Sequence, residues 1–271
     1  MTQTPPVTQA RDDAALRRRA AVGVVLAALA ALALAMLLRG EAGLERRDAA
    51  VGDTPATITT LAGAPPGPAG VIAPGVAGSR PRMRAFAAGL ARAGYVAVSF
   101  DFPGHGRHPE PMTGDLGAIE GATARLVRQT LEVAAFARAL PEADGRVALL
   151  GHSMAGDVIV RAARADGGIA AVAAVSMFSP AVTADSPANL LAVAGEYEAG
   201  LAAEALRALR LAAGPDAEPG RTYGDPAAGT ARRAFVAPGV EHVGVLFSRS
   251  AIAEAVAWMD LVFDRPARGA A

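Results

Sequence analysis

The sequence predicts an α/β fold, a mostly parallel sheet with helices on both faces, preceded by one N-terminal transmembrane helix. Three observations carry this expectation. From about Ala56 onward, short apolar runs alternate with stretches of helical periodicity, as in a parallel sheet covered by helices. The chain has 271 residues, 52% of them hydrophobic, enough for a domain with a sizeable core. Residues 20–38 are apolar on every face and flanked by charge on both sides, unlike a buried soluble helix.

In chain order, residues 1–19 form a short tail that ends in Arg17, Arg18 and Arg19. The segment "AAVGVVLAALAALALAMLL", Ala20 to Leu38, would span roughly 28 Å as a helix, against a hydrocarbon core of about 30 Å. Arginines before it outweigh Arg39, Arg46 and Arg47 after it, which places the N-terminus in the cytoplasm and the bulk of the chain outside. A cleaved signal peptide is the rival reading. Its apolar region is usually about 7 to 15 residues, and the small-x-small candidate Ala33-Leu34-Ala35 lies inside the run. Residues 39–55 read as a charged juxtamembrane linker, 56–265 as the folded domain and 266–271 as a C-terminal tail.

Within the domain, strands are expected at 56–62, 69–73, 95–100, 146–150, 169–178, 190–194 and 234–237. Helices fall between them. Met83, Phe86, Ala87 and Leu90 recur at helical spacing, as do Leu126, Thr130, Val133, Ala137 and Leu140 before Pro141. Further helices are expected at about 154–165, 201–211 and 251–263, the last with Ile252, Val256, Met259 and Phe263 on its apolar face. In open sheets of this kind, ligands bind beyond the carboxyl ends of the strands.

Formal net charge is zero, so no basic surplus points to nucleic acid and no acidic surplus to a cationic partner. Cysteine is absent, which excludes disulfides, thiolate catalysis and cysteine-bound metals. No cluster has metal-ligand spacing and no phosphate-binding loop of the G-x-x-x-x-G-K-[ST] type occurs, so no cofactor is expected. The partners left are a small molecule and, through residues 20–38, a membrane; the oligomeric state is open.

"RVALLGHSMAGDVIV", 146 to 160, runs a buried strand into a tight turn and then a helix, with Ser153 at the turn. Gly151, Ala155 and Gly156 would let strand and helix approach closely around a strained nucleophile. A serine hydroxyl needs a histidine base, itself oriented by a carboxylate. His152 adjoins the serine and cannot easily face its hydroxyl, and His105 and His108 carry no expected chemistry. His242, after the last strand, is the histidine that follows Ser153 in the chain. Glu198 or Glu196, just past the strand at 190–194, would supply the acid, and Asp101 and Asp157 read as structural. The amide of Met154 and one from "APGVAGS", most simply that of Val76, would receive an oxyanion.

Residues 56–263 resemble the α/β-hydrolase superfamily. "APGVAGS", "DFPGHGRHP", "GHSMAG", "AGEYE" and "VEHVGVLF" occur in that family's order. The resemblance implies a Ser153–His242–Glu198 triad, since the acid in such proteins commonly stands three residues after a strand-closing glycine, here Gly195. Glutamate replaces the commoner aspartate, Ala155 the glycine after the serine, and Pro74 a histidine before the oxyanion glycine. The expected activity is hydrolysis of an ester, less readily an amide or thioester, through an acyl-enzyme. Residues 178–189 leave little room for a helical lid. An acyltransferase or cofactor-free perhydrolase on the same triad, and a non-catalytic binding domain of the same fold, are the alternatives.

Overall fold

The computed structural model describes residues 7–114 and 119–266. It divides into two units, Met1–Gly43 and Leu44–Ala271. The first contains helix α1, Val7–Glu41, longer at both ends than residues 20–38 because the arginine-bearing flanks continue the helix. Its stretch Ala15–Glu41 is long and apolar enough to cross a membrane and is not buried by protein.

The second unit is an eight-stranded sheet flanked by helices. Its strands are β1 (Leu44–Val51), β2 (Thr54–Leu61), β3 (Gly67–Ala73), β4 (Val96–Phe100), β5 (Ala143–His152), β6 (Ile169–Val175), β7 (Leu190–Gly195) and β8 (Arg232–Ala237). Their spatial order is β1-β2-β4-β3-β5-β6-β7-β8. β1 and β2 pair antiparallel with one another, and β2 pairs antiparallel with β4; every other pairing is parallel.

Here the linker assignment for 39–55 is corrected. Leu44–Val51 is an edge strand in full register with β2, from Leu44 opposite Leu61 to Val51 opposite Thr54. Its sequence, LERRDAAV, is charged because half of its residues face water and the rest are only half-buried, which hides it among polar residues. The folded domain therefore starts at Leu44, ahead of Ala56. Residues 267–271 of the expected C-terminal tail lie outside the described residues.

Two apolar layers cover the sheet. Helices α3 (Ala124–Arg138), α4 (Met154–Ala165) and α5 (Ala199–Ala213) pack one face, burying Leu126, Val133, Val158, Ile159 and Leu209. Helices α2 (Arg84–Arg92) and α6 (Arg249–Val262) pack the other with Phe86, Leu90, Trp258 and Met259. β3 to β7 are buried on both faces at their centre, which is why they read as unbroken apolar runs. Close approach is built into small residues: a Cβ on Gly70 would meet Leu90 Cδ1 at 2.9 Å, and one on Gly156 would overlap Met177 Cβ. No helix occurs between β6 and β7, so the segment 176–189 holds no helical lid.

Candidate active site

The parallel strands β5, β6, β7 and β8 lie side by side and end at one edge of the sheet. Ser153 follows β5, Ser176 follows β6, Glu198 stands three residues past β7, and His242 lies in the loop after β8. Topology thus gathers four residues that are far apart in the chain. Hydrogen bonds from Ser153 N to Val175 O (2.8 Å) and from Ser176 N to Val193 O (2.6 Å) fix the strand ends against one another.

Ser153 adopts φ 55, ψ −120, a conformation that L residues rarely populate and that costs of order 1–3 kcal/mol. The surrounding packing holds it there. A Cβ on Gly151 would come 2.8 Å from Ala155 O, and Ala155 is wholly buried, so larger residues at these positions would push α4 off β5. The turn projects the hydroxyl at the start of α4, where the first-turn amides have no partner within the helix.

His242 joins the two other polar groups. Its Nε2 lies 2.9 Å from Ser153 Oγ and its Nδ1 lies 2.5 Å from Glu198 Oε1. With the carboxylate as acceptor, Nδ1 carries the proton and Nε2 is left to accept from the serine hydroxyl. The second oxygen, Glu198 Oε2, accepts from Ser176 Oγ at 2.6 Å and from Gly195 N at 2.7 Å. Three donors thus hold a carboxylate that is buried except for its imidazole partner. Glu196 turns the other way, its Oε2 accepting from Gly239 N at 2.7 Å, so the geometry separates the two glutamates.

The loops bearing Glu198 and His242 touch through Gly195, where a Cβ would come 2.5 Å from Val240 O. His152 adds a second tie, with its Nε2 2.8 Å from the His242 carbonyl and the two rings 4.8 Å apart. Burial pushes the His152 pKa down to about 4, so the ring is neutral and donates from Nε2. The Val76 loop is set against the same turn: a Cβ on Gly75 would meet Ser153 Cβ at 2.9 Å and His152 O at 3.0 Å. Val76 therefore follows a backbone position in contact with Ser153, while Met154 opens α4.

An open cleft of about 310 Å³ borders Ser153 and His242, with Leu126, Met154, Val158, Phe178 and Leu201 in its wall. Asp157 also lines it, but accepts from Arg161 Nε at 2.7 Å and from Ser179 Oγ at 2.6 Å, in keeping with a structural part. Asp101 is a loop anchor, accepting from Arg80 N at 2.8 Å and Arg107 N at 3.0 Å. His105 donates from Nδ1 to Pro103 O at 2.8 Å, inside its own loop.

The family model for serine aminopeptidase, S33 (Hydrolase_4), matches residues 65–232, more than half of the chain. The chain belongs to this family. As an S33-family member it is an α/β hydrolase, and its fold has many counterparts. A protein from Thermoplasma acidophilum described as a predicted CIB-like hydrolase is 14% identical with a TM-score of 0.58, covering 80% of this chain and 97% of its own. A dienelactone hydrolase from Anabaena variabilis is 17% identical with a TM-score of 0.54, covering 83% of this chain and 100% of its own. At such identities the likeness shows the fold. No curated protein matches the chain. The S33 match ends at Arg232, before the loop that carries His242, so that histidine is located by geometry rather than by the match.

Sequence reasoning missed Ser176, which it placed inside a strand running to Phe178. The strand stops at Val175, and Ser176 takes a positive φ of 51 that turns its hydroxyl to Glu198. A polar residue closing an apolar strand was the available signal. His152 contacts the His242 main-chain carbonyl, a role that its place beside Ser153 in the sequence does not signal.

Proposed function

We propose that this chain is a serine hydrolase that cleaves an ester through an acyl-enzyme, held at a membrane by its N-terminal helix. The observation that carries the reading is the position of His242, within hydrogen-bond reach of Ser153 Oγ on one nitrogen and of Glu198 on the other. Ser153 Oγ attacks the ester carbonyl while His242 Nε2 takes its proton. Glu198 holds the imidazolium that forms, and its own position is held by Ser176 and Gly195. The carbonyl oxygen, now negative, is received by the amides of Met154 and Val76, each such donor supplying about 3 to 4 kcal/mol in comparable sites. The tetrahedral intermediate collapses as His242 returns the proton to the leaving alcohol. Water then attacks the acyl carbonyl as it loses a proton to His242, and His242 returns that proton to Ser153 Oγ as the C–Oγ bond breaks and the acid leaves.

The absence of cysteine removes thiolate chemistry, and a serine stands where a dehalogenase would need aspartate. The helix Ala15–Glu41 supplies the anchor, and the arginines before it favour a cytoplasmic N-terminus with the hydrolase domain outside. Hydrolysis of short nitrophenyl esters by wild type, and its loss in folded Ser153→Ala, tests the chemistry. A reporter fused after Ala271 tests the orientation; activity confined to the outer compartment is expected, and cytoplasmic activity contradicts it.

A further inference from the structure

Apart from Leu211 and Leu261, the exposed large hydrophobic side chains among the described residues of the folded domain are Val76, Ile119, Phe178, Tyr197, Val243 and Phe247. These six are not scattered. Val76 follows Gly75, which abuts Ser153; Tyr197 precedes Glu198; Val243 follows His242. Phe178 lines the cleft, Phe247 closes the short turn Gly244–Phe247 beyond His242, and Ile119 opens the turn that leads to Thr123 in the cleft wall. Single exposed apolar residues are ordinary on protein surfaces, whereas their gathering in the loops of one site marks a binding surface. Phe178 is 65% exposed and Phe247 62%, exposures that a site for a small polar substrate would not require.

Charge narrows the ligand. The cleft wall holds no arginine, and its one carboxylate besides the triad, Asp157, is already committed to Arg161 and Ser179. Among the described residues, then, the cleft offers neither a cation for an anionic acyl group nor an uncommitted carboxylate for an α-ammonium. Its apolar wall is Leu126, Met154, Val158, Phe178 and Leu201, beside the uncharged polar residues Thr123 and Ser176.

Resting on the serine-hydrolase reading, we infer that the substrate is an ester of an uncharged aliphatic acyl group, whose chain leaves the cleft at Ser153 past Phe178, in the cleft wall, and Phe247, in the loop that carries His242. With the carbonyl at Ser153, each added methylene is withdrawn from water against this surface. A fully buried methylene gains about fourfold and a half-covered one about twofold. Selectivity therefore rises by roughly two- to fourfold per methylene, until the chain outruns these side chains.

The test uses the full chain held in an amphipathic polymer and two series of ligands. In the first, kcat/KM is measured on nitrophenyl esters from acetate to octanoate for wild type, Phe178→Ser and Phe247→Ser, with Ser153→Ala as control; aminoacyl nitroanilides are run alongside. In the second, binding of methyl ketones from 2-butanone to 2-decanone is measured on folded Ser153→Ala, which needs no turnover. Steeply rising kcat/KM and affinity with chain length, flattened in both Phe variants, is the expected result. A flat or falling series in wild type, slopes untouched by both substitutions, or preferential cleavage of the aminoacyl nitroanilides overturns the inference. Turnover that survives in Ser153→Ala, or none with any ester, counts instead against the serine-hydrolase reading, and the ketone series then decides the acyl preference alone.

Discussion

The buried ring of His152 donates a hydrogen bond from Nε2 to the main-chain carbonyl of His242 at 2.8 Å. The residue before Ser153 thereby holds the loop bearing the histidine that faces Ser153. Burial keeps His152 neutral, and this matters because a second cation 4.8 Å from the His242 ring would oppose the imidazolium formed during catalysis.

A pH dependence of stability follows. Burial lowers the His152 pKa to about 4 in the folded chain, against about 6.5 unfolded. Between those values the unfolded state binds more protons, so this group's contribution is complete above pH 6.5 and is lost as pH falls toward 4. The loss amounts to about 2–3 kcal/mol. Denaturant unfolding at pH 7 and 4.5 should show it in wild type and show a smaller difference in His152→Asn. Equal pH dependence in the two proteins would contradict the assignment.

The two glutamates should behave differently although they are two residues apart. Glu198→Gln removes the negative charge and, with Gly195 N still needing the oxygen, turns an NH2 donor toward His242 Nδ1; it should lower kcat by about 10⁴, as when the acid of a triad becomes an amide. Glu196→Gln alters a surface bond to Gly239 and should change kcat by less than about threefold. A comparable loss in both would remove Glu198 from its assigned role.

Ser176 acts on Glu198 and not on the substrate carbonyl. Ser176→Ala deletes a hydrogen bond to a buried carboxylate, of a kind that contributes about 1.5–3 kcal/mol. The expected outcome is a roughly 10- to 100-fold fall in kcat, with KM for nitrophenyl acetate near that of wild type. A change confined to KM would show that Ser176 serves binding instead.

Gly75 is required by space. A Cβ there would stand 2.9 Å from Ser153 Cβ, closer than real contacts allow, and a tight 3.0 Å from His152 O, so Gly75→Ala must shift the Val76 loop against the turn. If the Val76 amide is the proposed oxyanion donor, its displacement should lower kcat by about 10²- to 10³-fold while circular dichroism and melting show a folded protein. An active Gly75→Ala enzyme would mean that the Val76 amide is not a donor.

Much of this arrangement is legible in the chain, for physical reasons. β3 to β7 are buried on both faces, so their runs are unbroken and stand out from the helical periodicities of α3 and α6. Ser153 and His242 are legible because the turn around one needs small residues and the other is the histidine that follows it. β1 is not, because an edge strand with one wet face reads as charged linker; its cue was Gly52-Asp53, a two-residue hairpin turn with Gly52 at φ 56. Ser176 and His152 were missed for a different reason. Their partners, the Glu198 carboxylate and the His242 carbonyl, come from strands adjacent only in space, and strand order is not written in any local pattern.

The measurement that tests the central claim most directly is fluorophosphonate labelling of wild type and Ser153→Ala, read by mass spectrometry of the labelled peptide and paired with turnover of a short nitrophenyl ester. A single adduct on Ser153, with labelling and turnover both lost in the folded variant, is the predicted result. An adduct on another residue, or labelling and turnover that persist without the Ser153 hydroxyl, would contradict it.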